Sequence, residues 1–304
     1  MNHRNRFSIV ALLLLVASYS YAGEHSEQPV PDYAKELMGC WQEDAGSMLN
    51  FEPARCVSFT DGHLIVLSAF YEPGTITLAL GSNKFSLNFA INSGILSVTG
   101  DKGAKNYKKL DHVPEEMQLK PLEFGPTKNI APAKIKEVQD ELAKRLKTDQ
   151  AVRTDPNRQN EMQSIDVDNT KYLTSLVKEF GWIDVGRYGN DASLTAFLIV
   201  QHSGKLPLML AALPEIEKDM KAGKMNDGQQ YALLYDRTKI FFGQKQRYGT
   251  QISTADDGTP IVDPLEDRKN VDQLRKEIGM PPLAEYLLSF EKSAGKKAIF
   301  ADDK

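Results

Sequence analysis

Phe85-Ser86-Leu87-Asn88-Phe89-Ala90-Ile91 alternates apolar residues with small or polar ones, the period of a half-buried strand. Outward from it, turn signals recur at short spacing: Asp61-Gly62, Glu72-Pro73-Gly74, Gly81-Ser82-Asn83, Asn92-Ser93-Gly94 and Gly100-Asp101. Between the turns lie Val57–Phe59, His63–Leu67, Thr75–Leu80 and Ile95–Thr99, each short and apolar. This spacing predicts an antiparallel meander of about six or seven strands, closed or curled into a small barrel, within residues 33–112.

Downstream the pattern changes. Pro114, Pro121, Pro126 and Pro132 crowd residues 113–132, a density that disfavours helix interiors and sheet centres, so this stretch reads as the linker between domains. Pro132 opens a helix whose stripe of Ile135, Val138, Leu142 and Leu146 runs to about Thr148, followed by a polar loop to Asp168. Asp168 or Asn169 then caps a helix carrying Tyr172, Leu173, Leu176 and Val177, which Gly181 stops. Asn190-Asp191 caps the next, Ala192–Ser203, apolar nearly all round and therefore central. Leu206–Lys221 is interrupted by Pro214; Asp227 caps a helix through Tyr231 and Phe241, and Asn270–Gly279 and Leu283–Phe290 follow. No strand pattern of comparable strength appears here, and residues 292–304 read as a charged, frayed tail. The expected fold class is α+β with two domains, a small antiparallel β domain and a mainly α-helical domain over 133–291.

At 304 residues the chain is long for one core, in keeping with two. A formal charge of -4 argues against a nucleic-acid partner, which calls for a basic field. Arg4 and Arg6 precede an apolar run from Phe7 to Ala17, and Ser20-Tyr21-Ala22 offers small residues for cleavage. That layout reads as a secretory signal peptide over residues 1–22; as an uncleaved anchor the run is too short to span a bilayer comfortably. The mature protein is expected to be soluble in a bacterial periplasm or secreted, with no stable membrane insertion. In such a compartment Cys40 and Cys56 read as a disulfide, since the C-x-x-C spacing of a redox pair is absent.

Gly39-Cys40-Trp41 resembles the Gly-x-Trp opening of lipocalin-like barrels, with Trp41 read as a core plug. The second half resembles an uncharacterised bacterial domain-of-unknown-function family over about residues 133–290. The matching residues are Asp149-Gln150 with Arg153, Gly181-Trp182, Gln201-His202, Asp236-Arg237, Gln246-x-Tyr248-Gly249-Thr250-Gln251, and the late Arg275, Gly279 and Tyr286. Ile183 departs from the family pattern, which tends to have proline after Gly181-Trp182. The resemblance brings no established chemistry with it, so the residues must supply the argument.

His202 is the only histidine of the helical half, at the end of an apolar helix, where the macrodipole favours a cation. It reads as a general acid or base, or as a cap on the last carbonyls. Asp236 and Arg237 diverge by about 100° on a helix, so only one of them faces a shared site. Arg237 suits an anionic group; Asp236 suits orienting His202 or fixing Arg153, and a structural ion pair is the alternative. The Tyr248-Gly249-Thr250-Gln251 turn, with Gln246, reads as a ligand-gripping loop or as a loop-anchoring network. No nucleophile elbow, catalytic cysteine or phosphate loop is present in the sequence, and no His/Cys metal set forms in this half; a carboxylate-rich metal site stays open though no spacing marks one, and no cofactor or metal is called for.

Two functions are therefore expected. One is a hydrolase or transferase on a small polar or anionic substrate, with His202, Tyr248 and Asp236 catalytic and Arg237, Gln251, Gln201, Thr250, Gln246 and Arg153 holding the substrate. The other is a non-catalytic cell-envelope binding or interaction protein using the same groups. The two separate on whether these side chains converge on one solvent-reachable cleft.

Overall fold

The structure is a computed structural model, and it describes residues 30–60, 63–80, 83–100, 103–127, 129–255 and 257–301. The expected signal peptide at 1–22 lies outside the described residues. After a one-turn helix α1 (Asp32–Lys35) come eight strands: β1 (Gly39–Glu43), β2 (Met48–Glu52), β3 (Arg55–Thr60), β4 (His63–Glu72), β5 (Thr75–Leu80), β6 (Asn83–Asn92), β7 (Ile95–Gly100) and β8 (Gly103–Lys109). Each pairs antiparallel with the next, and β8 returns onto β1 through Trp41↔Lys109 and Glu43↔Tyr107 to close a barrel. Eight strands fit where six or seven were expected because the described turns at Pro53-Ala54, Pro73-Gly74 and Ser93-Gly94 take only two residues each. The two strands not anticipated are β2 and β8, and of β8 only Tyr107 is buried.

Alternation along the strands divides the barrel into two faces. Inward, Trp41, Phe51, Cys56, Ile76, Leu96 and Tyr107 form one apolar cluster. Leu37 closes its end, accepting a 2.7 Å hydrogen bond from Trp41 Nε1 at its carbonyl oxygen. Trp41 is thus the plug it was read to be. Outward, Cys40, Met48, Val57, Leu64 and Val66 pack against Met117 of the linker and Leu206 and Leu210 of the helical domain.

This division corrects the expected disulfide. Cys56 belongs to the inner cluster and Cys40 to the outer one, so the wall of the barrel separates their side chains. Both thiols are buried and not joined in a disulfide, and Cys40 Sγ lies 3.5 Å from Met117 Sδ. Burial pushes the Cys56 thiol far above its usual range.

The proline-containing linker runs extended over the helical domain and is bonded to it: Leu122 N donates to Pro207 O at 2.9 Å, and Gly125 N to Val177 O at 2.9 Å. Beside Gly125, Phe124 stacks on Trp182 at 5.8 Å. A Cβ at position 125 would fall 2.1 Å from the Lys178 carbonyl oxygen, which is backbone and cannot swing aside. Gly125→Ala is therefore expected to lift the linker off at a cost of about 2 kcal/mol or more. Faster proteolytic nicking between residues 110 and 131 is the readout; an unchanged cleavage rate would refute the clash.

The helices are α2 (Pro132–Thr154), α3 (Met162–Phe180), α4 (Val185–His202), α5 (Leu206–Lys221), α6 (Gln229–Phe241), α7 (Val271–Glu277) and α8 (Leu283–Ala294). Several boundaries move from those expected. α2 continues six residues past Thr148, its surface laced by pairs such as Arg145–Glu141 at 3.0 Å and Arg153–Asp149 at 2.9 Å, both i,i+4. The expected loop up to Asp168 is a 3₁₀ turn over Pro156–Glu161 and then the first two turns of α3. α4 begins at Val185 under the cap of Asp184 and breaks at Gly189, whose φ of 77° no ordinary helical residue adopts. Pro214 is accommodated inside α5.

A further difference is a small sheet in the helical half: β9 (Ile252–Thr254) antiparallel to β10 (Pro260–Val262), and β11 (Ile299–Phe300) parallel to β10. The charged C-terminal end is thus tied down by a strand through Phe300. α4 is central as its composition predicts, with Ala196, Phe197 and Val200 in a core shared with α2, α3, α5 and α6.

Candidate functional site

α2 and α4 run side by side in the same sense: Gln139 Nε2 donates to Tyr188 O at 2.8 Å near their starts, and Asp149 meets His202 near their ends. Because α2 stays helical past Thr148, Asp149 and Arg153 fall one turn apart on one face. Asp149 is 4% exposed, and its carboxylate accepts from Arg153 Nε at 3.1 Å, Arg153 Nη2 at 2.9 Å and Gln150 Nε2 at 2.8 Å. Arg153 Nη2 also bonds Asp166 Oδ1 from α3. The imidazole of His202 closes the group, with Nδ1 3.4 Å from Asp149 Oδ1 and its side chain 20% exposed.

The charges in this cluster are unequal. Burial opposes ionisation of Asp149, but His202 and Arg153 beside it outweigh burial and hold its carboxyl down at about 2. Asp166 goes the other way: burial raises it, with Arg153 and His202 only partly offsetting. One ligand-type atom each from Asp149, Asp166 and His202 lies within 4.8 Å of the others. The Arg153 guanidinium reaches both carboxylates and supplies the cation that such a set attracts.

One turn along on α6, Asp236 and Arg237 part company as helical geometry requires. Asp236 is 0% exposed and collects four donors: Arg247 N at 2.8 Å, Tyr248 N at 3.0 Å, Thr250 N at 3.0 Å and Thr250 Oγ1 at 2.9 Å. Burial pushes its carboxyl up against these bonds, and since every partner donates, the ionised form is the one that fits. The partner it was expected to orient, His202, faces Asp149 instead, its Nδ1 buried 3.4 Å from Oδ1 without a hydrogen bond.

The turn that Asp236 clamps is a tightly knit one. Gln246 is fully buried; its Nε2 donates to Gln251 O at 3.0 Å and Asp263 O at 2.8 Å, and its Oε1 accepts from Gln251 N at 2.8 Å. Gln251 Nε2 reaches Leu233 O at 3.3 Å. Tyr248 is buried in the main core, edge-on to Tyr231 and Tyr235, and burial raises its hydroxyl to about 12. Gly249 has φ 70°, and a Cβ there would stand 2.9 Å from Leu283. Arg275, 0% exposed, donates to Tyr248 O at 2.7 Å, and Tyr286 OH donates to Thr250 O at 3.2 Å.

Arg237 bridges the two groups. Its Nη1 donates to Gln201 O at 3.0 Å, directly before His202, while its Nε is buried without a hydrogen-bond partner. Among the described residues no carboxylate lies within ion-pairing distance of it. Burial lowers its pKa; the Tyr286 phenol opposes this and the like charge of Arg153 adds to it. The expected residues therefore fall into three neighbouring sets. His202 and Arg153 join Asp149 and Asp166; Asp236, Tyr248, Thr250, Gln246 and Gln251 form the turn; Arg237 and Gln201 lie between. Gln201 is 5% exposed with Oε1 buried and unbonded.

Asp149, Asp166, Arg275 and Tyr286 were not singled out as site residues. Asp149 had a readable signal, the four-residue step to Arg153 within one helix. Asp166 had none, since its partner stands thirteen positions back on another element.

The barrel touches this region. Leu64 N of β4 donates to Gly204 O at 3.3 Å, and Lys205 Nζ sits 4.6 Å over the Phe59 ring, so the turn after His202 rests on the barrel wall. Among the described residues no helix is long and apolar enough to cross a membrane. A family model described as a family of unknown function, DUF6624, matches residues 136–299. No curated protein and no solved structure matches the chain.

Proposed function

Because the chain belongs to the DUF6624 family, whose function is unknown, we propose a function from its own side chains. The protein acts as a hydrolase or transferase on a small polar or anionic substrate, with His202 as general acid and base. The observation that carries this is the imidazole facing Asp149 at 3.4 Å, with Asp149 itself fixed by Arg153 and Gln150. With Nδ1 turned toward Asp149, Nε2 is the ring atom left to take a proton from a water or hydroxyl and return it to the leaving group. Arg237, bonded to the carbonyl just before His202 and without an ion-pair partner among the described residues, is the group to hold a negative charge on the substrate. The Asp236-clamped turn forms the wall of the site and Tyr248 braces it.

In this proposal the protein is exported by its N-terminal leader and works in a bacterial periplasm or outside the cell. The barrel is taken as lipocalin-like on its Gly39-Cys40-Trp41 opening. A second reading, a non-catalytic envelope binding protein, is favoured by one observation: Asp236, Thr250, Gln246 and Gln251 are bonded to one another or to backbone.

A turnover screen against small envelope metabolites, run alongside thermal shift, separates the two. For any hit, His202→Ala is expected to lower kcat/KM by about 100- to 10,000-fold. Equal turnover by wild type and variant would remove the catalytic assignment and leave the binding reading.

A further inference from the structure

α6 carries a second polar group on the side away from Arg237. Tyr231, Tyr235 and Lys239 step by four residues along it and so share one face. Arg237, two positions on from Tyr235, points about 200° around the helix. Tyr248 of the clamped turn packs against the tyrosine face. The ring centroids make a triangle of 5.7 Å (Tyr231 to Tyr235), 5.7 Å (Tyr235 to Tyr248) and 6.1 Å (Tyr231 to Tyr248). Arg247 adds its guanidinium 5.9 Å from the Tyr248 ring, and its charge acts on all three phenols.

Two hydroxyls and one guanidinium of this group lack a partner in the fold. Tyr231 and Tyr248 are each 6% exposed, and a ring so buried ordinarily engages its hydroxyl with a protein group. Among the described residues neither hydroxyl has a hydrogen-bond partner, yet neither is closed off from solvent. The backbone N–H of Arg247 is fixed by Asp236 at 2.8 Å. Its half-buried guanidinium makes no hydrogen bond or ion pair among the described residues, and its Nε is buried. The carboxylates nearby are already paired, Glu266 with Lys239 at 3.1 Å and Glu217 with Lys221 at 2.6 Å. One positive charge is left without a counter-ion. Burial, aided by Glu217, raises the Tyr231 hydroxyl far above its usual range, and burial raises that of Tyr248 to about 12. Both therefore stay protonated and able to donate.

The shape of the ligand follows from the ring planes, which are turned 44°, 65° and 73° to one another. Donors set this way approach from directions that share no plane. A carboxylate accepts best within its own plane, whereas a tetrahedral oxyanion accepts from every side. We infer that this face of α6 binds a tetrahedral oxyanion, the phosphate or sulfate group of a small ester, through Arg247 and the hydroxyls of Tyr231 and Tyr248. The site is separate from His202 and Arg237, and the proposed function does not depend on it.

The test is calorimetric titration of the full chain with sodium phosphate, sulfate and acetate, at one ionic strength held with chloride. Phosphate, sulfate or both are expected to bind with a Kd of about 1 mM, and whichever binds identifies the ester. Acetate should bind about tenfold more weakly or not at all. Arg247→Gln is expected to weaken oxyanion binding about tenfold or more, while Arg237→Gln and His202→Ala leave it unchanged. Tyr231→Phe and Tyr248→Phe keep the rings and should each weaken binding about threefold or more. Their thermal midpoints should stay level or rise, since the lost hydroxyl bonds nothing in the protein, and they serve as the test even if Arg247→Gln fails to fold. No binding of either oxyanion at about 20 mM, acetate binding as tightly, or binding that follows Arg237 rather than Arg247 overturns the inference. Phenylalanine variants that lower the midpoint and leave binding untouched would overturn it too, by making the hydroxyls structural.

Discussion

Asp236→Ala is expected to destabilise the helical domain by about 3–5 kcal/mol, while Arg237→Ala, its neighbour in sequence, costs less than about 1 kcal/mol. The contrast follows from what each side chain meets. Removing the Asp236 carboxylate strands the backbone N–H groups of Arg247, Tyr248 and Thr250 and the Thr250 hydroxyl in a place with no water to replace it, since the residue is 0% exposed. The turn that carries Tyr248 would then lose its anchor, and Tyr248 is part of the main core. Among the described residues Arg237 makes one hydrogen bond to a backbone oxygen and no ion pair, so its loss also relieves a buried charge without a counter-ion there. Urea titrations of the two variants at one pH decide the matter. Equal costs, or a larger one for Arg237, would mean that the turn is not held from Asp236.

The second large effect is a pH-dependent one at Asp149. Its carboxyl lies at about 2 when folded against 3.8 for the free side chain, because His202 and Arg153 outweigh the burial that works against ionisation. The unfolded chain therefore binds the proton more readily, and stability rises with pH across this window. The contribution is fully present above about pH 4 and is lost as pH falls toward 2. It amounts to about 2 kcal/mol at neutral pH, at 1.36 kcal/mol per unit. Asp149→Asn should remove it, so the stability gap between wild type and variant narrows between pH 4 and pH 2. A gap that stays constant over that range would show that the ion pair with Arg153 adds nothing when folded.

How far the sequence could be read depended on where each residue finds its partner. The β domain was legible because Phe85–Ile91 and its neighbours repeat every second residue between turns. β8 was hidden by its own composition, since Ala104, Lys105, Asn106, Lys108 and Lys109 are exposed and leave Tyr107 without a stripe to belong to. The disulfide was misread because two cysteines sixteen apart give no hint of which face of a strand each occupies. In the helical half His202 could be found as the lone histidine at a helix end, and Arg237 by its place beside Asp236 late in a helix. Their assignment to partners could not: the carboxylate beside His202 is 53 positions earlier in the chain, and Asp236 holds backbone groups, which have no signature in the sequence.

The outer barrel wall has a bearing on descent as well as on folding. The family match starts at residue 136, after the barrel, yet Leu206 and Leu210 are covered by Met48, Val57, Leu64 and Val66 from that barrel. A relative that lacks an N-terminal partner of this kind would leave those leucines and Phe241 bare to water. Such a relative must carry hydrophilic side chains at the corresponding places, or hide them by self-association. The boundary drawn by sequence ancestry thus cuts through a packed seam, and a helical half expressed alone from residue 132 would be a sticky fragment rather than an independent unit.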